Sequence, residues 1–110
     1  MKYKGLEVKK LPKFIKVRGW FTFGGTIYLH PLIYSYWISS DSWAVGEAIQ
    51  TLEHEYTHIQ QYKKLGMFRF FRGCLPWYLT SKIELEAIKA GNIQKSSYLR
   101  GEVDKYGRQK

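Results

Sequence analysis

Between Val45 and Ile59 the apolar residues fall at three- and four-residue steps, at Val45, Ala48, Ile49, Leu52, Tyr56 and Ile59. That period places them on one stripe of an amphipathic helix whose opposite face is polar. Asp41 or Ser42 can cap its start, while Lys63, Lys64 and Gly66 mark its end, which predicts a helix of about six turns. Upstream, Trp20–Phe23 and Thr26–Leu29 are rich in β-forming residues and flank Gly24-Gly25, the pattern of a hairpin with a primed turn. Phe14 to Val17 is a short apolar run after Pro12, and residues 32–41 read as an aromatic, serine-rich connection. Ser81 to Ala90 has the composition of a second helix. Gly101 and Gly107 break helical continuity near the C-terminus, so the last fifteen residues read as a polar, extended-prone tail. The expected fold is α+β, a small antiparallel sheet or hairpin packed on a long helix and a second helix. It forms one domain over residues 1–95, with a C-terminal tail at 96–110.

A chain of 110 residues supports one core but not a two-lobed enzyme. Its aromatic content of 17% lets that small core bury much area per residue. The single cysteine, Cys74, has no disulfide partner within the chain and reads as an inert thiol. The start lacks the apolar core of a secretory signal, and no run reaches the length of a membrane span, so a cytoplasmic soluble protein is expected. The Met67–Leu79 stretch interleaves Arg69 and Arg72 with large apolar groups. It reads as a seal on the core with snorkelling arginines rather than a membrane contact. The net charge of +9 gathers in the N-terminal segment (Lys2 to Arg18) and the C-terminal one (Lys95 to Lys110). This charge is compatible with a nucleic-acid-binding module, but no RNA- or DNA-binding motif accompanies it.

The polar face of the long helix carries the chemistry. His54-Glu55-Tyr56-Thr57-His58 places two imidazoles one helical turn apart, able to reach a single Zn²⁺, with Glu55 beside them to take a proton from metal-bound water. Glu47, Gln50, Thr51 and Gln61 share that face, so the imidazoles look into polar surroundings such as a cleft. A third protein ligand is needed. No histidine comes after His58 and His30 lies upstream, which leaves Glu84 and Glu86 as the best sources. They stand about 200° apart around a helix, so only one can face the metal. Ser81-x-x-Glu84 is also a capping-box pattern, which gives Glu84 an alternative role.

On these residues the chain resembles the gluzincins, zinc metallopeptidases whose third ligand is a glutamate on a later helix. Glu84 has the expected small residue, Ala87, three positions on, but Ile88 stands where an aspartate usually orients a ligand histidine. In length and layout it is similar to the minigluzincins, short proteins like the catalytic domains of membrane-integral CAAX-prenyl and heat-shock metallopeptidases. The resemblance covers about residues 20 to 92. It implies a minimal zincin-like domain with zinc on His54, His58 and Glu84, Glu55 as general base, and an oxyanion donor for which Tyr78 is first choice and His30 second. It further implies an extended peptide substrate paired with an edge strand, the segment ending at His30-Pro31. Latency is implied too, with residues 101–110 blocking the cleft through Glu102, Asp104 or the terminal carboxylate of Lys110. The rival expectations are an inactive zinc-binding scaffold and a basic nucleic-acid-binding module.

Overall fold

The computed structural model describes the backbone at residues 1–22, 24–73 and 77–110 and the side chains at 1–22, 24–64 and 82–110. Strands β1 (Lys2–Tyr3), β2 (Leu6–Lys10), β3 (Gly19–Phe21) and β4 (Ile27–Leu29) precede helices α1 (Pro31–Trp37), α2 (Ser42–Gly73) and α3 (Trp77–Leu99). The class is the expected α+β, and among the described residues no helix is long and apolar enough to cross a membrane.

The sheet has the order β1-β2-β4-β3 and is mixed rather than antiparallel. β2 runs parallel to β4, with Val8 opposite Ile27, a strand that one buried residue among lysines and a glutamate did not announce. β1 and β2 join through Lys4 and Gly5, both at positive φ (48° and 82°), as a type I′ turn requires. Lys4 is held there by its N–H, which donates to Tyr106 O at 2.8 Å, and by its ammonium on Glu53. The β3–β4 hairpin is present, but its loop differs from a two-glycine primed turn. Thr22 N–H bonds Thr26 O at 2.9 Å, Gly25 N–H bonds Thr22 O at 3.0 Å, and of the two glycines only Gly25 has positive φ. Because β2 occupies the far side of β4, the strand ending at His30 is interior and β3 is the edge strand on that side of the sheet. That corrects the expected edge strand.

One face of the sheet is covered. Tyr3, Val8, Ile27 and Leu29 are buried against Val45, Ala48, Ile49, Leu52 and Ile59 of α2, with Tyr56 half-buried beside them. Each fully buried isoleucine or leucine contributes about 1.5–3 kcal/mol, so this stripe fixes α2 on the sheet. The other face is open, with Trp20 58% exposed. Residues 32–41 are not simply a connection: Pro31 occupies the first turn of α1, the His30 ring Nδ1 accepts from Leu32 N–H at 3.1 Å, and Ile33 and Trp37 pack inward.

Asp41 caps α2, accepting from Trp43 N–H, and the helix continues through Gly66 to Gly73. An interior glycine costs only about 1 kcal/mol relative to alanine, too little to end a helix whose backbone bonds continue on both sides. α3 lies on the face of α2 away from the sheet. The two helices come close at Gly91, where an added Cβ would stand 2.6 Å from Gln50 O. Beside it, Gln50 Nε2 donates to Asn92 Oδ1 at 2.6 Å. The expected seal at Met67–Leu79 and the thiol of Cys74 lie outside the described side chains.

The tail is neither frayed nor over the cleft. Residues 96–99 belong to α3, and Val103, 2% exposed, joins the core. Asp104 closes a turn by accepting from Tyr106 N–H and Arg108 N–H, and Glu102 pairs with Arg100. Tyr106 O and Lys105 O accept from Lys4 N–H and Trp37 Nε1, which anchors the tail at the β1 edge of the sheet, opposite β3.

Gly91→Ala should destabilise the fold by about 1–3 kcal/mol, because the new methyl meets backbone that cannot yield. In urea denaturation Gly24→Ala, whose Cβ would have no neighbour nearer than 3.8 Å, should stay within about 0.5 kcal/mol of wild type.

Candidate metal centre

The Gly91 contact holds α3 where Glu84, two turns earlier, meets the polar face of α2. His54 Nε2 and His58 Nε2 lie 3.2 Å apart, and Glu84 Oε1 and Oε2 stand 2.7 Å and 3.2 Å from them respectively. One donor atom from each residue falls within 4.8 Å of the others, so the three form a group that can hold a metal ion. The spacing can be tested against zinc. Bonds of about 2.0–2.1 Å in a tetrahedron put neighbouring donors about 3.3 Å apart. The His54 Nε2–His58 Nε2 separation of 3.2 Å matches, while the two imidazoles face different oxygens of Glu84. Two imidazoles and a carboxylate also form a donor set that suits zinc. The Glu84 side chain is 49% exposed, which leaves the group open on one side. Glu86 is exposed and outside the group, and the capping box does not form, because α3 begins at Trp77 and Ser81 lies inside it.

Gln61 fixes the ligand histidine. Its Nε2 donates to Ile83 O at 3.0 Å, so its Oε1 faces His58 Nδ1 at 2.9 Å and accepts from it. The proton is then on Nδ1, and the Nε2 lone pair points to the metal group. One buried amide thus orients His58 and ties α2 to the residue preceding Glu84. Its position three residues after His58 was the available sign. Phe21 stacks on the His58 ring at a centroid distance of 5.5 Å.

Glu55 lies on the flank of α2 that faces β3. Gly19 makes this possible: a Cβ there would stand 2.8 Å from Thr51 Cγ2 and 3.1 Å from Glu55 Cγ. Glu55 borders a cleft of about 210 Å³ together with Val17, Gly19, Trp20, Phe21, His54, His58 and Glu84. Burial, and then the Glu84 charge, push its carboxyl up to about 8. Burial also lowers the His54 pKa, partly opposed by Glu84, which favours the neutral imidazole. Arg18 O accepts from His30 N–H and Thr22 N–H donates to Thr26 O. By the alternation of antiparallel pairs, Gly19 and Phe21 turn their N–H and C=O groups away from β4.

The other site residues read from the sequence are elsewhere. His30 is the cap of α1 and borders a separate depression with Lys16, Val17, Arg18, Leu32 and Ile33. The Tyr78 side chain lies outside the described residues. None of residues 101–110 lines the cleft or joins the metal group. Compared with family models, curated proteins and solved structures, the chain finds no match.

Gln61→Ala should keep the fold and weaken zinc binding about 10- to 100-fold in competition with a chelator, the usual effect of losing the partner that orients a ligand. Glu55 contributes to the pH dependence of the metal-free protein. A carboxyl raised from 4.5 to about 8 binds its proton in the folded state, so its contribution is complete below 4.5 and lost as pH rises through 8. Stability of the wild type relative to Glu55→Gln should therefore fall between these limits, by at most about 1.4 kcal/mol per pH unit, in urea titrations monitored by tryptophan fluorescence.

Proposed function

We propose that the chain is a zinc-dependent metallopeptidase of the gluzincin type, with a minimal zincin-like domain, that hydrolyses extended peptides. The observation that carries this reading is the joint placement of His54, His58 and Glu84 around one point with Glu55 on the same cleft. The three ligands would hold the ion. Zinc there supplies Lewis acidity to the scissile carbonyl and makes the attacking water more acidic. Positive charge beside Glu55 favours its ionised form, the form a general base needs. Glu55 accepts the water proton and returns it to the leaving nitrogen. The main-chain N–H and C=O of Gly19, turned away from β4, bind the substrate main chain as an added strand, which gives affinity with little side-chain preference. Gly19 lets that strand lie close to Glu55. Tyr78 is the proposed oxyanion donor. With His30 committed to capping α1 and the tail anchored at the β1 edge, neither blocks nor completes the cleft in this arrangement.

Metal analysis of the purified protein should give about one zinc per chain in the wild type and in Glu86→Ala and much less in Glu84→Ala, since removing one of three ligands undoes the site. Glu55→Gln should keep its zinc and lose peptide cleavage. Cleavage unchanged in Glu55→Gln would remove the general-base assignment, and zinc without cleavage in the wild type would make the group a structural clamp between α2 and α3.

A further inference from the structure

A second depression, about 230 Å³, adjoins the metal group toward the N-terminal end of α2 and is lined by Arg18, Gly19, Gln50, Thr51, His54 and Glu55. Arg18 is the cation among these residues. Its Nη2 contacts Glu47 Oε2 at 3.2 Å and Glu47 O at 3.4 Å, while the other Glu47 oxygen takes Lys95 Nζ. Lys95 is the more buried of the two cations, and its hydrogen bond is the main reason that the Glu47 carboxyl is held below its ordinary range. One carboxylate therefore faces two cations, and the trio keeps an excess positive charge on Arg18. Glu47 holds the guanidinium by a single nitrogen. Nε and Nη1 make no hydrogen bond to a described residue.

Two parallel N–H donors on a planar cation match the two oxygens of a carboxylate. The depression shares Gly19, His54 and Glu55 with the catalytic cleft, so a ligand group on Arg18 lies next to a peptide held at the metal group. We infer that Arg18 is the recognition residue of a carboxylate subsite, and that preferred substrates carry a carboxylate on the residue next to the scissile bond. That group is either the α-carboxylate of a chain end or the side chain of an aspartate or glutamate. The net charge of +9 draws anionic peptides to the protein in the same sense. This inference rests on the metallopeptidase reading and adds a substrate class to it.

The test is calorimetric titration of the zinc-loaded full-length chain with four thiol ligands, whose sulfur binds the ion and whose next residue enters the subsite. They are mercaptoacetyl-leucine, its carboxamide, and the carboxamides of mercaptoacetyl-aspartate and mercaptoacetyl-asparagine. At least one carboxylate should bind about tenfold more tightly than its neutral partner. In Arg18→Gln that ratio should collapse to within about twofold, while Arg18→Lys, which keeps the charge but not the fork, should retain part of it. A preference in the leucine pair identifies a chain-end carboxylate, and one in the aspartate–asparagine pair identifies an acidic side chain. Equal binding of all four, or a preference that survives Arg18→Gln, overturns the subsite alone. Failure of every thiol to bind the zinc-loaded chain overturns the metallopeptidase reading together with it.

Discussion

Helix α2 is covered on two opposite faces, by the sheet on one side and α3 on the other, and the site is built from what this sandwich leaves. At about 100° per residue, Leu52 and Ile59 face the sheet while Gln50, His54 and Gln61 face α3. The two flanks between them meet different sheet edges. Glu53 points to β1, where Tyr3 O–H and Lys4 Nζ donate to its carboxylate, and Glu55 points to β3, where Gly19 makes room for it. Two glutamates two residues apart thus have opposite fates. The first is neutralised inside the fold, and its charge, with burial, raises the pKa of Tyr3. The second has no hydrogen-bond partner among the described residues and opens on the cleft.

Two close approaches control the geometry. Gly91 sets the gap between α2 and α3 and so the distance from Glu84 to the two imidazoles. Gly19 sets the gap between α2 and the edge strand, and so the distance from Glu55 to whatever lies along that edge. Gln61 completes the frame through two hydrogen bonds that join His58 to the backbone of α3. The proposed metal ligands, base and substrate edge are therefore held by contacts between regular elements rather than by loops, which suits a site whose parts must keep fixed separations.

The charge is partitioned as well. Lysines of the N-terminal strands and of the tail account for much of the excess, but at the cleft the balance is local: Glu47 is shared by Arg18 and Lys95 on one side, and Glu55 and Glu84 converge on the histidines on the other. Carboxylates that repel one another across a small cleft are costly unless a cation joins them. Burial, and then the Glu84 charge, raises the pKa of Glu55, and the His54–His58–Glu84 group offers a place for a cation.

The α2 stripe and the histidine pair with Glu55 between them were legible in the sequence, because each depends on periodicity along a helix or on spacing within one turn, whereas the preference for Glu84 over Glu86 came from the family resemblance. The β3–β4 hairpin was visible for the same local reason. The parallel partner strand β2 was not, since one buried Val8 among charged residues carries no period-two pattern. α1 was hidden because a helix of seven residues shows only one buried pair, Ile33 and Trp37. Which strand forms the edge, where the tail docks, and that Gly19 and Gly91 are places of contact rather than turns were decided by tertiary packing alone. These features join residues distant along the chain, and spacing along a sequence says nothing about the distance between two elements once they pack.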